Sequence, residues 1–199
     1  MKKLNDKELL QLIKTDVEEF NYYRGENSSQ AIDFENANFK EANIQGVDLI
    51  CVNLRGANLE LANLREANLQ WANLRGANLQ GVYIRETNLK GADLREANLK
   101  GADSIKSIIE YPYIRGVNLE VADLRGANLE GADLRGANLQ GAHLVGCYIK
   151  GVDLRGGNLQ GANLRKVNLK GVNLVGCYIK DAQITLTKEN IEAIKFAIS

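Results

Sequence analysis

The chain has 199 residues, with 25 lysines and arginines set against 25 aspartates and glutamates, so its formal net charge is zero. That balance excludes both the broad basic field that nucleic acid selects and the acidic field of a polyanion mimic. The length fits one domain, or one long module with end pieces. Three cysteines, Cys51, Cys147 and Cys177, show no CxxC spacing. They suit free thiols in a reducing compartment, and the expected location is the cytoplasm.

In chain order, the start "MKKLNDKELLQL" has no continuous apolar run, so a secretory leader is not expected, and no stretch approaches a membrane span. Leu9, Leu12, Ile13, Val17 and Phe20 recur at helical spacing, and Asn5 with Glu8 has the form of a capping box. Residues 1–31 are therefore expected to form an N-terminal helical cap and leader. From Phe34 to Ile184 a large apolar residue stands at every fifth place, with Ser104 the exception. Two places earlier the residue is small, and Asn or Asp usually sits immediately before the large one.

A five-residue period fits neither regular element. On a helix it advances about 500° per phrase and spreads the large residues around the whole circumference. On a flat strand it throws them to alternate faces. It works if the chain turns a corner once per phrase. Four phrases then close a square coil of about 20 residues, and coils stack at roughly 4.8 Å. The large and small residues point inward and fill the axis in alternate layers without voids. On this reading Asn and Asp take the corners, and Gly after the large residue relieves turn strain.

The phrases "ANLRG", "ADLRE", "ANLEG" and "ADLRG" resemble those of the pentapeptide repeat family, whose pattern is A(N/D)LXX. The resemblance spans about Ile32 to Ala182. It implies an all-β solenoid, a right-handed quadrilateral β-helix of about seven to eight coils, and the handedness comes from the resemblance alone. It points to a bacterial source, cyanobacteria included. Phe20 to Asn27 resembles a short aromatic-Asn-x-aromatic-Arg leader found before the repeats in many bacterial members.

The repeats divide into 32–102 and 114–185 around an interruption at 103–113. Ile109 and Ile114 keep the numerical phase, so the segment is either two distorted phrases within the stack or a ten-residue excursion. Residues 186–199 are expected to form a C-terminal helical cap, with Thr187 as N-cap, Ile191, Ile194 and Ile198 on one face, and a Leu186–Ile191 staple. With both ends capped, a monomer is expected.

Two outward columns attract notice. Arg55, Arg75, Arg95, Arg115, Arg135 and Arg155 recur every twenty residues, one coil apart in a simple stack, as a candidate rail for an anionic partner. Trp71 occupies an outward place, with Ile50 one coil before and Tyr111 two coils after. With Ile108 and Ile109 these form a candidate partner contact, unless the interruption or an end helix covers Trp71. Cys147 and Cys177, in the duplicated phrase "LVGCYIK", read as core fillers on opposite walls.

The single histidine, His143, has no paired base or nucleophile, and no phosphate-binding, zinc or nucleophile-elbow motif is present. No catalytic residue, metal or cofactor is therefore expected. The reading favoured is a non-enzymatic rigid scaffold or protein-binding module. Two alternatives stand beside it. One is topoisomerase (gyrase) interaction by duplex mimicry, which the resemblance raises and the zero net charge disfavours. The other is a ligand binder or enzyme using 103–113 as a lid.

Overall fold

The computed structural model describes residues 3–102 and 117–195. Its element order is two N-terminal helices, a long stack of square coils, and one C-terminal helix. The N-terminal helical segment consists of two helices, α1 (Asp6–Thr15) and α2 (Val17–Glu26). Asp16 makes the break. Its backbone N–H ends α1 on Leu12, and its side chain accepts from Glu19 N–H to start α2. At the front of α1, Asn5 Oδ1 accepts from Lys7 and Glu8, while Glu8 Oε2 accepts from Asn5 N–H at 2.9 Å.

The stack is a right-handed quadrilateral β-helix. Parallel bridges join residues twenty apart, from Asp33↔Asn53 onward, and define four faces. The first face runs through Asp33, Asn53, Asn73, Asp93, Asp123, His143 and Asn163. The second carries Asn38, Asn58, Asn78, Asn98, Asn128 and Tyr148, the third Asn43, Asn63 and Tyr83 and then Asp133, Asp153 and Asn173. The fourth carries Asp48, Asn68, Asn88, Asn118, Asn138, Asn158 and Tyr178. The large and small residues fill the axis. Leu54, Ala57, Leu59, Ala62 and Leu64, for example, are all fully buried.

The hydrogen bonds show why Asn and Asp precede the large residue, and they correct their placement. The corners fall at the two residues after the large one, not at Asn. Each described second corner residue has φ near +60°, whether glycine, as at Gly56 and Gly76, or not, as at Glu66 and Trp71. Asn sits mid-face, at the bridge. In one phrase, Leu54 N–H donates to Asn73 O at 2.7 Å, Gly56 N–H to Arg75 O at 2.9 Å and Ala57 N–H to Leu54 O at 3.0 Å. Asn58 N–H donates to Ala37 O at 2.9 Å. The fifth donor, Arg55 N–H, has no backbone partner, and Asn53 Oδ1 accepts from it at 3.2 Å. A short side-chain acceptor two residues upstream thus completes the backbone account of every such phrase. The Asn Nδ2 then donates to the Asn or Asp one coil below, as from Asn73 to Asn53 at 3.0 Å.

Polar residues in the small inward place follow one rule. Thr87 Oγ1, Cys147 Sγ and Cys177 Sγ donate to the carbonyls of Leu64, Leu124 and Leu154 at 2.7, 2.8 and 2.8 Å. Cys147 lies on the second face and Cys177 on the fourth, so the two thiols sit on opposite walls and all three cysteines are free. Burial pushes the Cys147 thiol up to about 12, and it raises Cys177 as well.

Across the interruption the ladder steps by thirty. Asn88 pairs with Asn118, Asp93 with Asp123 and Asn98 with Asn128. The pairing interval between the described residues is therefore ten longer here than elsewhere in the stack. Ile108, Ile109, Tyr111 and Arg115, and the segment 103–113 as a whole, lie outside the described residues.

Each end of the stack is finished by side chains that stand in for a missing coil. At the front, Asn21 Oδ1 accepts from Asp48 N–H at 2.8 Å, and Arg24 donates to Ile50 O at 2.8 Å and to Gln30 O at 3.2 Å. Leu9, Ile13, Phe20 and Tyr23 cover the first coil, with Phe20 against Phe34 at 6.4 Å between ring centroids. At the back, α3 (Lys188–Lys195) begins with Thr187 Oγ1 accepting from Asn190 N–H at 3.2 Å. Asn190 is buried. Its Oδ1 accepts from Leu169 N–H at 2.8 Å and its Nδ2 donates to Val167 O at 2.9 Å, the two bonds a further strand would make. The expected Leu186–Ile191 staple is not packed, since Leu186 is 77% exposed and Ile191 43% exposed. The cap is held by the Asn190 amide rather than by that apolar pair. Ile198 lies outside the described residues.

Candidate interaction surface

A filled axis leaves the walls and corners as the places where this chain meets other molecules. The corner between the fourth and first faces carries Cys51, Trp71, Gly91, Val121 and Gly141 in one column. A side chain at a left-handed corner leans onto the corner of the next coil. The Trp71 ring lies over Gly91, where a β-carbon would overlap its Cε3 and Cζ3 atoms. Val121 leans on Gly141 in the same way, with Cγ1 3.2 Å from where a β-carbon would be. Leu61 does so on the diagonally opposite corner, between the second and third faces, 2.8 Å from that point at Gly81. These glycines serve two ends, a positive φ and a landing place for the bulky residue below.

Trp71 is 57% exposed and Val121 45% exposed, so neither end helix covers the tryptophan, and the interruption that was its other expected cover lies outside the described residues. Its position explains this, because corner side chains lie along the outside of the stack, away from both helical ends. Ile50 is half-buried beside the column, its carbonyl taken by Arg24. Cys51 is exposed directly below Trp71. The sequence reading missed Val121 and Leu61. The signal was available: both are apolar residues in the second place after the large one, where glycine or a charged residue is usual.

The arginines do not form the single column expected. The ten-residue insertion rotates everything after it by two faces. Arg55, Arg75 and Arg95 stand on the first face and continue into Arg125, whereas Arg135 and Arg155 stand on the opposite, third face with Arg65 and Arg85. Nor are they free cations. Arg55 pairs with Glu35 at 2.7 Å, Arg75 with Glu96 at 3.1 Å, Arg135 with Asp133 at 2.7 Å and Arg155 with Asp153 at 2.6 Å. Arg95 pairs with Asp93 and Arg125 with Asp123.

A second local rule appears here. Where Asp replaces Asn it has no amide to donate to the coil below, and at Asp93, Asp123, Asp133 and Asp153 an arginine two residues later folds back on it. The stacked carboxylates Asp93 and Asp123 are thereby each neutralised by their own guanidinium. The Arg95 hydrogen bonds hold Asp93 below the usual carboxylate range. At Asp123 and Asp153 burial pulls upward, and the hydrogen bonds and charge of Arg125 and Arg155 outweigh it, leaving both lowered.

Among the described residues no cluster of His, Cys, Asp or Glu is arranged to hold a metal ion. His143 takes a mid-face place on the first wall, bridged to Asp123 and Asn163, and is exposed. Among the described residues no helix is long and apolar enough to cross a membrane.

Comparison with known proteins matches this geometry. The family model for pentapeptide repeats matches eight copies, over residues 30–56, 52–81, 67–103, 114–151 and 147–183. Among curated proteins no sequence matches. Among solved structures, full-length QnrB1, a plasmid-mediated fluoroquinolone resistance protein, is 19% identical, with 83% of each chain covered and a TM-score of 0.44. HetL, involved in heterocyst differentiation regulation in the cyanobacterium Nostoc sp. strain PCC 7120, is 27% identical over 94% of this chain and 99% of its own, with a TM-score of 0.28. Rfr23 from the cyanobacterium Cyanothece 51142 is 25% identical over 83% of this chain and 93% of its own, with a TM-score of 0.32. The phrase, the square coil and the matched residues together make this chain a member of the pentapeptide repeat family.

Proposed function

We propose that the chain is a non-enzymatic, rigid protein-binding rod that works through its outer surface, as a monomer in the cytoplasm. The observation that carries this is the exposed apolar column of Trp71 and Val121, set on a corner of a solid shaft. A half-exposed tryptophan on a rigid scaffold is the kind of anchor that dominates protein interfaces. The stacked hydrogen bonds fix the backbone that carries it, so only side-chain ordering remains to be met on binding. Net charge is zero and the wall carboxylates are paired with arginines, which argues against duplex mimicry.

The test is affinity capture from the native cell with the full chain, comparing wild type with a Trp71→Glu, Val121→Glu variant. A protein retained by wild type and lost from the variant is expected. Equal retention by both, or none by either, overturns the assignment to this corner. A gyrase supercoiling assay in the same preparation is expected to show no effect at high protein excess.

A further inference from the structure

On the second face the ladder between two coils is parted. Tyr148 bridges down to Asn128 in the ordinary way, but among the described residues no bridge joins it to Asn168 above. Among the described residues, four ladder bonds that the other pairs of coils on this face make are missing there. The regular stack would join Gly146 N–H to Arg165 O, Ile149 N–H to Asn168 O, Gly151 N–H to Lys170 O, and Asn168 N–H to Cys147 O. One coil below, the equivalent bonds Gly126 to Val145, Leu129 to Tyr148, Gly131 to Lys150 and Tyr148 to Ala127 are all present, at 2.8–3.2 Å. On the adjoining faces the same two coils remain joined, through Leu144 to Asn163 at 2.8 Å and Leu154 to Asn173 at 2.9 Å. The upper segment is held from the other side by the buried Asn190 amide, on Val167 and Leu169.

The gap is an open cleft of about 680 Å³ lined by Cys147, Tyr148, Ile149, Gly151 and the two lysines Lys150 and Lys170. Its floor is apolar, with Ile149 3% exposed and Cys147 7% exposed. Its lips are the backbone segments 146–151 and 165–170, between which, among the described residues, no ladder hydrogen bond forms. Glu130, also at its rim, is engaged by Lys100 at 3.4 Å, whereas among the described residues Lys150 and Lys170 have no ion-pair partner.

We propose that this cleft is a binding slot for an extended acidic peptide segment of a partner protein, which enters as an added strand. A strand is the occupant that satisfies both lips at once, pairing with Cys147 O and Ile149 N–H below and with the Asn168 peptide groups above. Its alternate side chains meet the apolar floor, and acidic ones on the other side reach Lys150 and Lys170. The inference rests on the reading of the chain as a protein-binding rod and adds a second surface, remote from Trp71.

The probe is a capped peptide of about nine residues with glutamate alternating with valine, titrated into the full-length protein and followed by amide hydrogen exchange. In the free protein the Ile149 and Gly151 amides are expected to exchange at least about 100-fold faster than those of Leu129 and Gly131 one coil below. The peptide slows them. The Lys150→Glu, Lys170→Glu variant weakens binding by about tenfold or more, and Trp71→Glu leaves it unchanged. Slow exchange of Ile149 and Gly151 in the free protein overturns the slot, as does absence of peptide binding. Equal binding by a peptide methylated at alternate backbone nitrogens means that the cleft takes side chains or small molecules rather than a strand, and also overturns it. Loss of partner capture at the Trp71 corner, with peptide binding intact, separates failure of the corner assignment from failure of the slot.

Discussion

Replacing Gly91 by alanine isolates the contact that holds Trp71, with Gly76→Ala as its control. Both glycines sit at second corner places with φ of +68° and +66°, so both substitutions meet the same left-handed backbone cost, about 1–2 kcal/mol. At Gly76 a β-carbon meets nothing within 4 Å, whereas at Gly91 it overlaps the indole of Trp71. The ring must swing off the corner. With Trp71 57% exposed, roughly two-fifths of its surface is covered, on the order of 100 Å², which at about 25 cal/mol per Å² sets a ceiling of about 2.5 kcal/mol. The unfolded chain already covers part of that area, so Gly91→Ala is expected to cost ~1–2 kcal/mol more than Gly76→Ala. In melting temperature that is a difference of about 2–8 °C. Denaturant and thermal unfolding measure it, and Trp71, as the sole tryptophan, reports the movement as a red shift of emission in Gly91→Ala alone. The extra cost should vanish in a Trp71→Ala background. Equal destabilisation at the two glycines, or an extra cost that persists without the tryptophan, refutes the landing-place account.

Asn190→Ala strands Leu169 N–H and the carbonyls of Val167 and Thr185. It should cost about 2–4 kcal/mol, and hydrogen exchange should place the loss at Leu169 while Leu54 stays protected, since coils contact only their neighbours. Of the three thiols, only exposed Cys51 should react quickly with a disulfide reagent at neutral pH, and all three in denaturant. Burial raises the Cys147 value from 9.0 to about 12, so the fold holds this proton more tightly than the unfolded chain does. Its contribution to stability is therefore complete below 9.0 and is lost as pH climbs through about 12, which equilibrium unfolding at a series of alkaline pH values will show. Deleting residues 104–113 joins Ala102 and Asp103 to Ile114, Arg115 and Gly116, a regular five-residue phrase. The shortened chain should keep its circular dichroism spectrum, with the Leu94 and Leu119 amides still protected. Loss of cooperative unfolding would show that the ten residues belong to the stack.

The fold was legible because one inward position dominates the pattern. Leu54, Leu59, Leu64 and Leu69 can face a common axis only if the chain bends at each phrase, and that constraint leaves little choice of architecture. The role of Asn was half legible. Its habit of bonding nearby backbone was plain from residue chemistry, but its place was not. Both the mid-face and the corner offer an N–H within reach, and only the tally of five donors in one phrase shows that Arg55 N–H is the one left over. The ends were legible as helices and illegible as terminators. Asn21, Arg24 and Asn190 act by side-chain groups that replace peptide groups, and nothing in helical periodicity marks such residues. The parted second face was hidden for a different reason. Tyr148 and Tyr178, in the two copies of "LVGCYIK", both bridge the coil below normally, and the opening lies above Tyr148 at Asn168, whose phrase "VNLKG" follows the ordinary pattern, so the local words alone do not decide it.

The interruption shows where a period ceases to carry information. Ten is a multiple of five, so Ile109 and Ile114 stay in phase whether the segment adds half a coil or leaves the coil altogether. The two cases differ in which residues become neighbours. Within the stack, Arg95 would lie under Arg115, and one unbroken arginine column would run from Arg55 to Arg155. The observed pairing puts Asp93 under Asp123 and Asp133 under Asp153 instead, with Arg95 reaching toward Asp123 at 3.7 Å and Arg135 toward Asp153 at 3.9 Å. Stacked carboxylates repel, and the stack is tolerable because each meets a guanidinium from its own phrase and the upper one of each pair, Asp123 and Asp153, meets a second from the coil below. The half-turn offset therefore changes the surface more than the core. It leaves the leucine axis continuous, yet it splits the arginines between opposite walls and turns a candidate cationic rail into two short, internally neutralised ion-pair ladders.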